Sequence, residues 1–202
     1  MTPSFPDLSS TAGLVLAGGR SSRFGADKAL APFRGELLLD RAFLPLQCLS
    51  AMAISAKTGS VMAEFASEHG KLTVVDDPHG PDGPLAGILA GLDWAHALGY
   101  AWLATVPCDA PMLPRDLVAA LHAGRGDAPA AFAETVEGAH PLCALWRTDI
   151  RTALGSSLQQ GRHPSVRGFL TNIGATPVRF DTTAHFANAN TREILNELER
   201  RS

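Results

Sequence analysis

The feature that most constrains this chain is an alternation. Short, almost wholly apolar runs are separated by polar loops and by longer stretches with helical spacing. Residues 13–17 (GLVLA), 52–55, 72–76 (LTVVD) and 102–106 are too short for helices and too apolar for half-exposed strands, so they read as strands buried on both faces. Between them, residues 37–49 read as a helix that Pro45 kinks or shortens, and residues 61–69 as a second. Residues 85–98 carry Leu85, Ile88, Leu89, Leu92, Ala95 and Leu98 on one helical face. Residues 114–123 read as a further helix with proline tolerated near its start. Strand and helix in alternation imply βαβ units and a mostly parallel sheet, covered on both faces. The second half is less regular. Residues 130–133, 142–146 and 176–180 read as strands, some of them antiparallel. Asn190 with Glu193 has the spacing of a capping box opening a last helix, 191–200. The expected organisation is a flexible lead-in, 1–12, followed by one domain, 13–202.

Composition narrows the function. A net charge of −3 in 202 residues argues against a broad basic face for nucleic acid. No apolar run approaches the ~18 residues of a membrane span. The first eleven residues hold no Lys or Arg and no long apolar run, unlike a secretory signal. Cys48, Cys108 and Cys143 have no metal-ligand spacing; Cys48 and Cys143 lie in apolar runs and are expected to be buried thiols. A small, odd count suits a reducing compartment, and the expected location is the cytoplasm. The seven histidines form no ligand-spaced set.

In open parallel sheets, ligands bind beyond the carboxyl ends of the strands. Here those ends carry Ala17-Gly18-Gly19, Ser55, Asp76-Asp77 and Pro107-Cys108-Asp109, a mixture of glycines and carboxylates suited to phosphate and a metal ion. The first loop, LAGGRSSRFGADK, places Gly18, Gly19 and Gly25 where backbone can approach a ligand and where amides can form an anion-binding nest. Arg20, Arg23 and Lys28 add positive charge, and Lys28 is one of only three lysines in the chain. The loop is neither a P-loop nor a GxGxxG fingerprint.

The run LAGGRSSRFGADKAL resembles the opening signature of the molybdenum cofactor guanylyltransferases, which are nucleotidyltransferases with a Rossmann-like fold. The resemblance continues in order through DDPHGPDGPLAGI (76–88), PCDAP (107–111), HPLCALW (140–146) and FANANT (186–191), from about residue 13 to 198. It implies a three-layer α/β fold with a mixed, mostly parallel central sheet. It also implies attack by an acceptor phosphate on the α-phosphorus of GTP, with pyrophosphate leaving. Such a reaction between anions depends on in-line positioning and charge neutralisation and needs no triad.

By the same resemblance, Leu16, Ala17, Gly18 and Gly19 contact base and ribose, while Arg23 and Lys28 hold the β- and γ-phosphates. Asp109 holds Mg²⁺, which takes few protein ligands. Asp77 and the Gly83-Pro84-Leu85 segment contact the nucleotide. Ser55 stands where relatives often carry Asn-Ala-Asn, so a nucleotide contact from it departs from the pattern. His140, Arg162, Arg167, Asn188 and Asn190 correspond to the acceptor-binding half, and two arginines near a helix start suit a phosphorylated pterin. Competing roles are simpler: Asp109 as a helix cap, His140 as a structural histidine, Asn190 as a cap. The expected partners are GTP, molybdopterin and molybdoenzyme-maturation proteins, with no nucleic acid and no membrane. A cytidylyltransferase for the same cofactor or another NTP transferase of the same fold, and a nucleotide-binding module without catalysis, are the alternatives. LAGG favours guanine, and Arg23, Lys28 and Asp109 together speak against the inert module.

Overall fold

The first strand, β1 (Thr11–Leu16), is buried at all positions. Its side chains alternate between faces, as a two-residue period requires: Ala12, Leu14 and Leu16 enter one core and Val15 the other. The computed structural model describes residues 7–17, 28–68, 70, 73–74, 83–159 and 164–200. β1 lies at the middle of a parallel group with β4 (Ala51–Ser55), β5 (Thr73–Val74) and β6 (Trp102–Pro107). The full sheet has seven strands in the order β5-β4-β1-β6-β8-β7-β9. β8 (Gly138–Arg147) is antiparallel to both its neighbours, β6 and β7 (Ala130–Thr135). β9 (Thr176–Arg179) runs parallel to β7. The sheet is therefore mixed and mostly parallel.

Helices cover both faces. Leu39 and Ala42 of α1 (Leu38–Phe43), Met62 and Ala66 of α2 (Val61–Glu68), and Leu117, Val118 and Leu121 of α4 (Leu117–Gly124) fill one core. Leu85, Ile88, Leu92 and Ala95 of α3 (Pro84–Ala97) fill the other with Leu154 of α5 (Arg151–Gln159) and Phe169 of α6 (Val166–Asn172). α3 lies close against the sheet because glycines face it. A Cβ at Gly91 would stand 2.5 Å from Leu14 Cδ2, and one at Gly87 would collide with Ser55 Oγ. A third, smaller cluster joins Phe33, Leu38 and Ala189 to Leu195 and Leu198 of α7 (Arg192–Arg200). It ties the C-terminal helix to the hairpin β2 (Pro32–Phe33)–β3 (Glu36–Leu37) that follows the first loop.

Several expectations shift. β1 begins at Thr11, so the last two residues assigned to the lead-in belong to the buried sheet. The helix expected over 37–49 ends at Phe43 and passes into a 3₁₀ turn, Leu44–Leu46, where Pro45 lacks the N–H an α-helix needs. The helix expected from Pro114 starts at Leu117, after a turn closed by the Leu117 amide on the Pro114 carbonyl. Only two residues of the strand expected over 72–76 are described. The strand expected over 142–146 extends back to Gly138 and so carries His140. Cys48 is exposed, because it follows the 3₁₀ turn; Cys143 is buried as expected.

Candidate active site

The sheet order sets where a ligand can sit. The chain runs from β1 outward to β4 and β5 and then returns, through α3, to β6 on the other side of β1. The crevice beyond the carboxyl ends of β1 and β6 is thus the topological switch point of the sheet. The two strand ends are tied together there, since Cys108 N donates to the Leu16 carbonyl at 3.2 Å.

Lys28 stands in this crevice at the head of a 3₁₀ turn, Lys28–Leu30. Its Nζ donates to Asp109 Oδ2 at 2.7 Å and to Asn190 Oδ1 at 2.9 Å. The lysine and aspartate side chains are 13% and 20% exposed, so the pair is sheltered yet open to a ligand. Asp109 follows a strand buried throughout, which fixes its position. It is not a helix cap: α4 begins well beyond it, with Asp116 at the cap position. Asn190 is held by its neighbour. Ala189 is fully buried in the third cluster, and its amide donates to the Asp109 carbonyl at 2.8 Å. The cap of α7 is Thr191, whose Oγ1 accepts from the Ile194 amide at 3.3 Å. The capping role expected for Asn190 is therefore taken by the next residue, and the Asn190 carboxamide accepts from Lys28 instead.

His140 reaches the same neighbourhood through Phe186. The imidazole stacks on the Phe186 ring with centroids 4.6 Å apart, and its Nε2 is 3.0 Å from Thr135 Oγ1. Burial holds its pKa below the usual histidine value, against a weaker opposing effect of Glu137, so it is neutral at pH 7. Phe186 opens FANAN and Asn190 closes it, so one short run links the histidine to the Lys28–Asp109 pair. Asn188 is exposed in the same run. Cys143, buried nearby, has its thiol pKa pushed far up by burial and by the charge of Asp109, so it is not a nucleophile.

The other predicted residues are placed differently. Leu16 and Leu85 turn their side chains into the core. The Leu16 carbonyl accepts from Cys108, and the Ala17 amide donates to the Ser55 carbonyl at 3.1 Å. A carbonyl oxygen keeps a second lone pair, which is what Leu16 can offer a ligand. Ser55 is buried against Gly87 beneath α3, which does not suit a side-chain contact with nucleotide. Gly83, with φ 131°, and Pro84 are exposed at the head of α3, whereas Leu85 and Gly87 of GPLAG are buried. Arg167 is exposed on the first turn of α6, where Ser165 Oγ caps the Gly168 amide at 3.0 Å; none of its described contacts joins it to Lys28, Asp109 or Asn190. Gly18, Gly19, Arg20, Arg23, Gly25, Asp27, Asp76, Asp77 and Arg162 lie outside the described residues.

Sequence reasoning missed Thr135 and Phe186. The aromatic residue opening FANAN was the available signal for Phe186. Thr135 had none, because its pairing with His140 depends on a bulged hairpin whose register shifts between Phe132 and Ala133. Also missed was a groove of about 480 Å³, lined by Arg34, Arg41, Arg115 and His185 above Leu44, Met112, Leu113 and Leu198. No predicted site residue lines it.

Among the described residues, no group of three or more His, Cys, Asp or Glu side chains could hold a metal ion. Mg²⁺ does not need one, because it keeps waters and takes phosphate oxygens. Asp109 Oδ2 and Asn190 Oδ1 are hard oxygen donors that converge on one cation, partly open to solvent. This donor set fits Mg²⁺.

The family model described as the MobA-like NTP transferase domain matches residues 13–174. A molybdenum cofactor guanylyltransferase from Yersinia pestis is 40% identical over 186 residues, covering 89% of this chain and 90% of that protein. Among solved structures, molybdopterin-guanine dinucleotide biosynthesis protein A from Archaeoglobus fulgidus aligns with a TM-score of 0.73 at 17% identity, over 94% of this chain and 97% of that one. A CMP-2-keto-3-deoxy-manno-octonic acid synthetase solved with CTP aligns with a TM-score of 0.71 at 14% identity, over 96% and 98%. The structural likenesses show the shared α/β fold.

Proposed function

The chain belongs to the family of MobA-like NTP transferase domains, and from that premise we propose that it transfers GMP from GTP to the terminal phosphate of molybdopterin. Pyrophosphate leaves, and the product is a guanine dinucleotide form of the cofactor. The observation that carries this reading is the convergence of Lys28, Asp109 and Asn190 at the switch point of the sheet. The 40% identical relative named for this activity supports guanine and the pterin acceptor.

The P–O bond between the α- and β-phosphates breaks as an acceptor phosphate oxygen bonds to the α-phosphorus. Both partners are anions, so the residues act by holding them in line and offsetting charge. Lys28, with Arg23 from the same loop, binds the β- and γ-phosphates as charge grows on departing pyrophosphate. Asp109 with Asn190 would hold Mg²⁺, which when bound neutralises phosphate oxygens. Gly18, Gly19, Asp77 and the exposed Gly83-Pro84 edge bind the nucleoside. His140, neutral and held by Thr135 and Phe186, orients the acceptor with Arg162, Arg167 and Asn188. The chain from Thr11 onward acts as one catalytic unit in the cytoplasm, and molybdoenzyme-maturation proteins take up the product. Among the described residues, no helix is long and apolar enough to cross a membrane.

The test is pyrophosphate release with molybdopterin and each of GTP, CTP and ATP in turn. Release with GTP alone is expected. Preference for CTP would overturn the guanine assignment, and no release with any nucleotide would overturn catalysis.

A further inference from the structure

We propose that Lys28 and a divalent cation compete for the same two oxygens, Asp109 Oδ2 and Asn190 Oδ1, so that nucleotide phosphates control metal binding by drawing Lys28 away. The inference rests on the metal role proposed above for Asp109.

The geometry points to competition rather than coexistence. The Lys28 ammonium lies 2.7 Å from one oxygen and 2.9 Å from the other. An ammonium only donates, so the Asn190 carboxamide must present its oxygen, the same atom a hard cation would take. A Mg²⁺ ion would draw those oxygens to ~2.1 Å. The ammonium and a doubly charged ion cannot share that position, and in adjacent positions they repel in a setting only partly open to water.

Lys28 cannot simply withdraw, since its side chain is mostly sheltered and its charge needs an anion. The β- and γ-phosphates supply one. They give the ammonium a new partner and offer the metal oxygens to complete its shell. Metal and nucleotide then raise each other's affinity by the same factor, as linkage requires. Asn190 supplies the second of the competed oxygens. It is held by the Ala189 amide on the Asp109 carbonyl, so the two competed oxygens form one backbone-linked pair.

The test uses Mn²⁺ alone, without nucleotide, followed by the loss of its free-ion electron paramagnetic resonance signal. Lys28→Met should bind Mn²⁺ about tenfold more tightly than the parent, within the usual range of coupling between ligands. Lys28→Ala should behave likewise, which guards against one variant failing to fold. Lys28→Arg keeps a cation in place and should stay as weak as the parent. Adding Asp109→Asn to Lys28→Met should abolish the gain. Equal, Asp109-dependent binding by parent and Lys28→Met would overturn the competition while leaving the metal role standing. Absence of Asp109-dependent binding in Lys28→Met would overturn both.

Discussion

The paired strands β1 and β6 carry a polar cluster at each end, and the two clusters are built on opposite principles. At the amino end, Thr11 Oγ1 and His122 Nε2 lie 2.9 Å apart in the interior. The imidazole meets the edge of Trp102, and Arg125 stacks 4.3 Å from the Trp102 ring centroid. Burial, aided by Arg125 and opposed by Asp7, lowers the His122 pKa to about 4, so the ring is neutral. At the carboxyl end, Lys28, Asp109 and Asn190 converge from positions 81 and 162 residues apart. There the charges are kept and left partly open. At the amino end the imidazole is held neutral beside the Arg125 guanidinium; the carboxyl end holds a paired lysine and aspartate whose charges a ligand can redistribute. That contrast separates a cluster that serves the fold from the candidate site at the switch point of the sheet.

The contrast breaks most easily at Asp109. Asp109→Asn should lower turnover about a thousandfold, the equivalent of several kcal/mol of lost transition-state charge stabilisation. The fold should persist and the melting temperature fall by only a few degrees, the cost of leaving the sheltered Lys28 ammonium without its carboxylate. Near-parent turnover in a steady-state pyrophosphate assay would remove Asp109 from the chemistry. Lys28→Ala should cost somewhat less, about 2–3 kcal/mol in kcat/KM, in line with the loss of a single preorganised cationic donor. A rate within about threefold of the parent would reassign the lysine to structure.

At the other end the expected effect is on stability and follows pH. His122 is neutral in the folded protein down to about pH 4 but takes up a proton near pH 6.5 when unfolded. Between those values the unfolded chain binds more protons, so stability falls as the solution is acidified through this window. The loss is full only below about pH 4, and roughly 3 kcal/mol is its upper bound. His122→Gln should flatten this acid limb in urea unfolding midpoints measured across the window, while leaving kcat at pH 7 unchanged. An acid limb as steep as the parent's would show that other groups carry it.

The unequal legibility of the two halves of the chain follows from how far each feature's cause extends in sequence. β1, β4, β6 and α3 were readable because burial on both faces, or on one helical face, writes a local pattern. Asp109 was readable because a carboxylate after an apolar strand has few structural uses. α5 was not, since only Leu154 and Leu158 turn inward from an otherwise polar stretch. The extension of β8 back to Gly138 was hidden by a proline inside it and by the bulge opposite. Ser55 looked like a ligand contact because it ends a strand, but the glycines that bring α3 onto it act from Gly87. The meeting of Lys28 with Asn190 could not be inferred from spacing at all. It depends on the third cluster, in which Phe33 and Leu38 from one end of the chain pack with Leu195 and Leu198 from the other.

The smallest effect separates two adjacent residues that the sequence could not tell apart. Thr191 accepts the Ile194 amide at the start of α7, whereas Asn190 accepts from Lys28. Thr191→Ala should therefore cost about 1 kcal/mol of stability, the usual value for a lost cap, and leave kcat/KM unchanged. Asn190→Ala should do the reverse. It removes an exposed carboxamide outside the helix, so unfolding midpoints should hold, while turnover falls as Lys28 loses one of its two oxygens. Calorimetry and steady-state kinetics on both variants settle the division. If Asn190→Ala destabilised the chain as a cap deletion does, with kinetics intact, the carboxamide would belong to α7. The ordered convergence at the carboxyl end of β6 would then shrink to the Lys28–Asp109 pair alone.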